Sequence, residues 1–131
     1  MYDSVRSLLE LVQEAVSPWH TVQAVRKRLS KADFQPLKLG EKWQLESGKS
    51  YYVEAFGSTV LAFTIGCNGY TEANNLRIAA SHTDFPGLRI KPQASVIKDG
   101  YGVLNIESYG GLILASWQDR PLSIAGKITL K

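Results

Sequence analysis

The sequence holds a single cysteine, Cys67, among its 131 residues. That excludes an internal disulfide and a thiolate-rich zinc cage, and it suits a reducing compartment. Long apolar runs are missing as well. Stretches such as Gly111 to Ser116 and Val60 to Phe63 fall far short of the ~20 residues that a membrane helix needs. The N-terminus sets Asp3, Glu10 and Glu14 among its apolar residues, without the basic segment and uninterrupted apolar core of a signal peptide. A cytoplasmic protein with no membrane partner is therefore expected. Excess charge of one sign is scarce too: 15 Lys and Arg stand against 12 Asp and Glu, a net charge of +3. So small an excess implies no nucleic-acid partner by itself. There is neither an internal repeat nor a low-complexity segment. What the chain does have is 44% hydrophobic and 21% charged residues, enough apolar surface to offset chain entropy. Its length suits one compact domain with one core, or a piece of a larger one.

Two helices open the sequence. Val5, Leu8, Leu9, Val12, Ala15 and Val16 recur at spacings of three and four, which predicts one apolar stripe on a helix capped by Asp3 or Ser4. Ser17 then caps a second helix with Pro18 at its first position, running to Asp33 and carrying Trp19, Val22, Val25, Leu29 and Ala32 on its apolar side. Arg26, Lys27, Arg28 and Lys31 on that helix read as a solvated face. His20, in its first turn, reads as a surface or capping histidine, because no carboxylate or second histidine lies near it in sequence.

From Gln35 the period changes. Ser50 to Ala55 and Thr59 to Ile65 are rich in Tyr, Val, Thr and Phe and flank Phe56-Gly57-Ser58, the pattern of a β-hairpin with a Gly-containing turn. Gly66 to Asn75 is a polar loop. Leu76 to Ser81 is a short apolar run of the kind found in a buried strand. Leu88 to Lys91, Ser95 to Lys98, Val103 to Glu107 and Ala125 to Leu130 are further strand candidates, separated by Pro92, Asp99-Gly100 and Gly110-Gly111. Two helices followed by strands with no further long helix make an α+β ordering.

His82-Thr83-Asp84 follows directly on the run Leu76 to Ser81, at the expected C-terminal end of a strand, where ligand-binding residues of open sheets collect. Neutral imidazole is a good zinc donor. An Asp two residues on can accept the other ring N–H and so fix tautomer and orientation, and in extended backbone residues two apart share a side. Taken alone, a His-x-Asp triplet marks a hydrogen-bonded structural histidine more often than a ligand.

Its surroundings add to this. Ala80 to Pro92 (Ala80-Ser81-His82-Thr83-Asp84-Phe85-Pro86-Gly87-Leu88-Arg89-Ile90-Lys91-Pro92), Glu107-Ser108-Tyr109-Gly110-Gly111, and Trp117-Gln118-Asp119-Arg120-Pro121 through Gly126 together resemble the N-terminal part of the M18 metallopeptidases, the aspartyl aminopeptidases. Ser17-Pro18-Trp19-His20, Lys31-Ala32-Asp33-Phe34, and Trp43 before Gly48-Lys49-Ser50-Tyr51-Tyr52 are similar to that family's opening, so the resemblance runs from about Ser17 to Lys131. Phe85 and Gly87 stand where the family often has Ser and Cys, and Gln118 where it has Phe or Leu; none of these is a ligand.

The resemblance implies an α+β fragment: the N-terminal portion of a zinc-exopeptidase, phosphorylase/hydrolase-like α/β catalytic domain, over residues 1–100, leading into a β-rich inserted dimerisation domain from residue 101 to 131. It implies a peptide substrate, removal of N-terminal residues that are acidic in some members, two Zn2+ per active site, and a homo-oligomer, often a dodecamer. On the family pattern His82 is a zinc ligand and Asp84 the carboxylate that orients the site. A bridging Asp, an adjacent pair of Glu that includes the general base, another Asp and a final His lie beyond residue 131 of such an alignment, so this chain alone is expected to be inactive. Asp99, Glu107 and Asp119 fall on segments away from the metal, and Asp119 is expected to pair with Arg120.

Two readings of other classes stay open on the residues. One is a small β-rich module that binds an anionic partner through Arg26, Lys27, Arg28, Lys31, Arg89, Lys91 and Lys98, with Tyr51, Tyr52, Tyr70 and Tyr101 as stacking candidates. The other is a structural remnant that co-assembles with full-length subunits through an unfinished edge at Ile124 to Leu130.

Overall fold

The computed structural model describes residues 2–67 and 77–130. Its elements run α1 (Asp3–Glu14), α2 (Pro18–Lys31), β1 (Gln35–Leu37), β2 (Ser50–Ala55), β3 (Thr59–Thr64), β4 (Gly87–Lys98), β5 (Tyr101–Tyr109) and a short 3-10 turn at Leu114–Ser116. The chain divides into two compact units, Met1–Asp84 with Ala125–Lys131, and Phe85–Ile124. The architecture is α+β, as expected.

In the first unit α2 is the best-formed helix, and Ser17 is the reason for its start. Its hydroxyl accepts from the His20 N–H at 3.4 Å and lies 2.7 Å from His20 Nδ1, with Pro18 at the first helical position. Ser17 is itself buried. The helix ends at Lys31, and Asp33 takes a left-handed φ of 60° as the chain turns into β1. Its buried residues are Val22 and Ala24; Ala24 lies off the expected stripe, while Val25 and Leu29 are half-buried. Helix α1 differs more from expectation. Asp3 is its first residue rather than its cap, Tyr2 occupies the cap position without a side-chain hydrogen bond, and the helix buries none of its residues. Its stripe, Leu8, Leu9 and Val12 included, is exposed.

Strands β1, β2 and β3 form one sheet in that order, β1 parallel and β3 antiparallel to β2. The central strand is covered on both faces, so Tyr51, Tyr52 and Val53 are all buried. Successive residues of a strand point to opposite faces, and the two tyrosines show it. Tyr51 packs on its cross-strand partner Phe63 at 5.8 Å between ring centroids, with Trp43 beyond at 6.1 Å, and its hydroxyl accepts from the Glu46 N–H. Tyr52 carries its hydroxyl 3.5 Å from Ser30 of α2. The hairpin turns at Phe56-Gly57, both left-handed at φ 56° and 71°, and the Ser58 N–H donates to the Ala55 carbonyl.

The second unit is a long two-stranded ribbon. Asp99 and Gly100 have φ of 51° and 80°, the conformation of a type I′ turn whose twist matches that of the flanking strands. The sequence suggests two strands broken at Pro92; the structure has one strand, β4, with an irregularity between Ile90 and Ser95 where Gln93 adopts φ 57°. Proline has no N–H to give the ladder, so the extra residues bulge out and pairing resumes beyond them. Arg89 lies over the Tyr109 ring at 4.1 Å.

Two expected strands are not formed. Residues 77–81 have no regular structure and are exposed, Leu76 lying outside the described residues together with Asn68 to Asn75 of the expected loop. Residues 121–130 likewise carry no strand, so the expected edge at Ile124 to Leu130 is absent. The physical reason is shared: a strand exists only by pairing its N–H and C=O groups with a neighbour, and no described residue pairs with either segment.

Replacing Ser17 with Ala is expected to destabilise the first unit by about 1 kcal/mol through loss of the cap. Phe56 is 90% exposed and left-handed, so Phe56→Asn loses almost no burial while relieving the cost of that conformation, and is expected to stabilise by about 1 kcal/mol. Urea unfolding read by tryptophan fluorescence checks both.

Candidate functional site

The structure brings His82 and Asp84 together. His82 Nδ1 lies 2.9 Å from Asp84 Oδ1, the imidazole 89% and the carboxylate 33% exposed. With a carboxylate on Nδ1 the proton sits on that nitrogen, donating to Asp84, and the lone pair is left on Nε2. The ring faces outward and is not packed in the interior. Ala80, Ser81 and His82 line a shallow depression of about 250 Å³. A larger one, about 500 Å³, lies between the end of α2 and Gly48–Ser50, with Asp33 and Lys49 as its only charged lining residues. It contains no residue suited to bind a metal through nitrogen, and the chemistry stays with His82.

No strand carries the pair, contrary to the placement expected from sequence. What holds the segment is its middle residue: Thr83 Oγ1 donates to the Ser58 carbonyl at 2.7 Å, a contact between residues 25 apart in sequence. Such a half-buried bond contributes about 1 kcal/mol net. Ser58 follows the left-handed Phe56-Gly57 pair, and a Cβ on Gly57 would stand 3.5 Å from Trp19 Cδ1. The Thr83 hydroxyl thus links the β2–β3 turn to His82-Thr83-Asp84. Sequence reasoning singles out His82 and Asp84 but passes over Thr83, Ser58 and Gly57 as parts of a site. The only local signals for those three are a β-branched hydroxyl residue inside the triplet and a glycine in the hairpin turn.

The fit to a metal is that of one ligand. The donor chemistry is right, an imidazole with its far nitrogen held by a carboxylate, but among the described residues no group of three His, Cys, Asp or Glu is placed to hold an ion. His20 is engaged by Ser17 at the cap of α2, in the role its position suggests. Asp119, at φ 51°, forms no ion pair with Arg120, whose guanidinium donates instead to the Ser116 carbonyl at 3.3 Å. That expected pair is not made.

The basic-module alternative loses its main parts. Tyr51 and Tyr52 are buried and offer no face for stacking. Arg26 pairs with Glu54 at 3.5 Å, Arg28 with Glu14 at 3.4 Å, and Arg89 is spread over Tyr109. Tyr101 is exposed, and Tyr70 lies outside the described residues. Among the described residues no helix is long and apolar enough to cross a membrane.

The structure thus shows an exposed histidine with a carboxylate on Nδ1. The family is identified by comparison: residues 11–131 match the aminopeptidase I zinc metalloprotease (M18) family, and the chain belongs to it. It is 42% identical over 125 residues to a probable M18 family aminopeptidase 2 of Clostridium novyi, covering 95% of this chain and 29% of that protein. The chain therefore spans less than a third of the length of this curated relative. Among solved structures it is similar to Ape4 in a cryo-EM complex with Nbr1, at TM-score 0.80 and 36% identity, over 86% of this chain and 22% of the other. Its fold is also that of part of the S. cerevisiae mApe1 dodecamer, at TM-score 0.72 and 24% identity, over 90% of this chain and 28% of the other.

Gly57→Ala forces a Cβ into a left-handed position and is expected to destabilise the first unit by about 1–2 kcal/mol. The midpoint of urea unfolding, compared with that of the parent chain, checks it.

Proposed function

We propose that this chain is the N-terminal part of a zinc-dependent aminopeptidase, in which His82 is a metal ligand and Asp84 orients it. The observation that carries the reading is the 2.9 Å contact between Asp84 Oδ1 and His82 Nδ1, found in a chain that matches the M18 family over most of its length. Asp84 keeps the proton on Nδ1 and makes the ring a better donor; His82 presents Nε2 outward, where among the described residues nothing else occupies it. Zinc, when bound, supplies Lewis acidity toward a peptide carbonyl and activates water for attack.

One imidazole fills one coordination position, whereas catalytic zinc takes about three protein ligands and needs a base beside it. In this reading the other ligands and the general base belong to the length of the family that the chain does not span, and the 131 residues alone are inert. In this reading residues 1–100 belong to the catalytic domain and residues 101–131 open the inserted β-rich domain, although β4 and β5 pair as one ribbon within the unit Phe85–Ile124. The substrate is a peptide trimmed at its N-terminus, acidic residues being the first to test. Homo-oligomer assembly is supported by the many apolar side chains left exposed: Leu9, Val12, Ile97 and Leu104 are at least 48% accessible, more apolar surface than a small monomer usually leaves bare. The working compartment in this reading is the cytoplasm.

Purified chain incubated with Zn2+ and Asp- or Glu-p-nitroanilide is expected to release no p-nitroaniline above a zinc blank; clear metal-dependent turnover refutes the inertness. Zinc added to the same chain is expected to shift the His82 ring resonances and not those of His20. Asp84→Asn should weaken that binding about 10-fold or more, and an unaltered zinc response in His82→Ala rules the ligand assignment out.

A further inference from the structure

We infer that Thr83 is a positioning residue, whose hydroxyl, by donating to the Ser58 carbonyl, fixes the backbone between His82 and Asp84 so that the carboxylate meets Nδ1. The inference rests on the reading of His82 as a metal ligand and concerns how the metal-free chain prepares it.

Residues 77–82 have neither helix nor strand, so no ladder of main-chain hydrogen bonds orients the imidazole. A side chain that is 89% exposed on such a backbone is not oriented by packing either. Yet two side chains two residues apart meet at 2.9 Å, which demands one backbone geometry at the residue between them. That residue is itself tied down, at 2.7 Å, to a carbonyl in another element. The anchor is firm, because Ser58 closes the hairpin turn with its N–H on Ala55 and the strands on either side are paired from Ala55↔Thr59 to Ser50↔Thr64. Thr is also suited to the task, since its branched Cβ limits χ1 and holds the hydroxyl in one direction.

The imidazole tautomer reads this out in the full 131-residue chain. Long-range 1H–15N spectra of the 15N-labelled protein at alkaline pH report which nitrogen carries the proton. In the parent chain His82 is expected mainly as the Nδ1–H form. Thr83→Val, isosteric but without the hydroxyl, is expected to lower the ratio of Nδ1–H to Nε2–H at least twofold, while Thr83→Ser keeps it and His20 is unmoved in both. Cross-strand contacts such as Tyr52↔Ala62 establish that the hairpin is intact; should Thr83→Val lose them, Thr83→Ala is measured for the same loss. A ratio unchanged without the hydroxyl in a folded variant overturns the inference, as does a Ser variant that behaves like Val. The outcomes also separate the two claims. A ring already protonated on Nε2 in the parent chain overturns the positioning, whereas a ring held on Nδ1 that ignores zinc counts only against the metal ligand.

Discussion

A hydroxyl-to-carbonyl hydrogen bond from Thr83 to Ser58 ties the segment that carries His82 and Asp84 to the β2–β3 hairpin. On one side of it lies a segment with no secondary structure of its own; on the other lies a hairpin paired along its full length. The hairpin belongs to the same compact unit as α2, a helix whose start is fixed by Ser17. Order passes from the hairpin turn to His82 and Asp84.

The scaffold itself is small. Among the described residues the buried apolar ones are Val22 and Ala24 on α2 and Tyr51, Tyr52 and Val53 on β2, so the core is one helix laid on one central strand. Around it the chain leaves the whole stripe of α1 and much of the β4–β5 ribbon open. Amphipathic patterning creates surfaces that favour burial, but it does not supply the partner.

How much of this is legible in the sequence varies with range. The Ser17-Pro18 start of α2 and the hairpin around Phe56-Gly57-Ser58 are readable because caps and turns are made by residues within three or four positions of one another. The same holds for the pairing of His82 with Asp84, two residues apart. The strands expected at Leu76 to Ser81 and Ala125 to Leu130 are not formed, because apolar, β-branched composition states a preference that only a neighbouring strand can fulfil. Asp119 and Arg120 depart from expectation for a local reason: the left-handed backbone at Asp119 accompanies an Arg120 guanidinium directed back to Ser116.

The sequence by itself determined the family, through motifs spread from Ser17 to the C-terminus, and with it the kind of chemistry to look for: an imidazole and a carboxylate at a fixed spacing, plus caps and turns encoded within a few residues. Only the tertiary structure decided that the ring faces outward with its near nitrogen held, and that Thr83 and not a strand does the holding. The physical reason is distance along the chain. A hydrogen bond between residues 25 apart leaves no periodic or compositional trace in the residues that make it, and it appears only once the hairpin has folded and brought its turn to the segment that needs it.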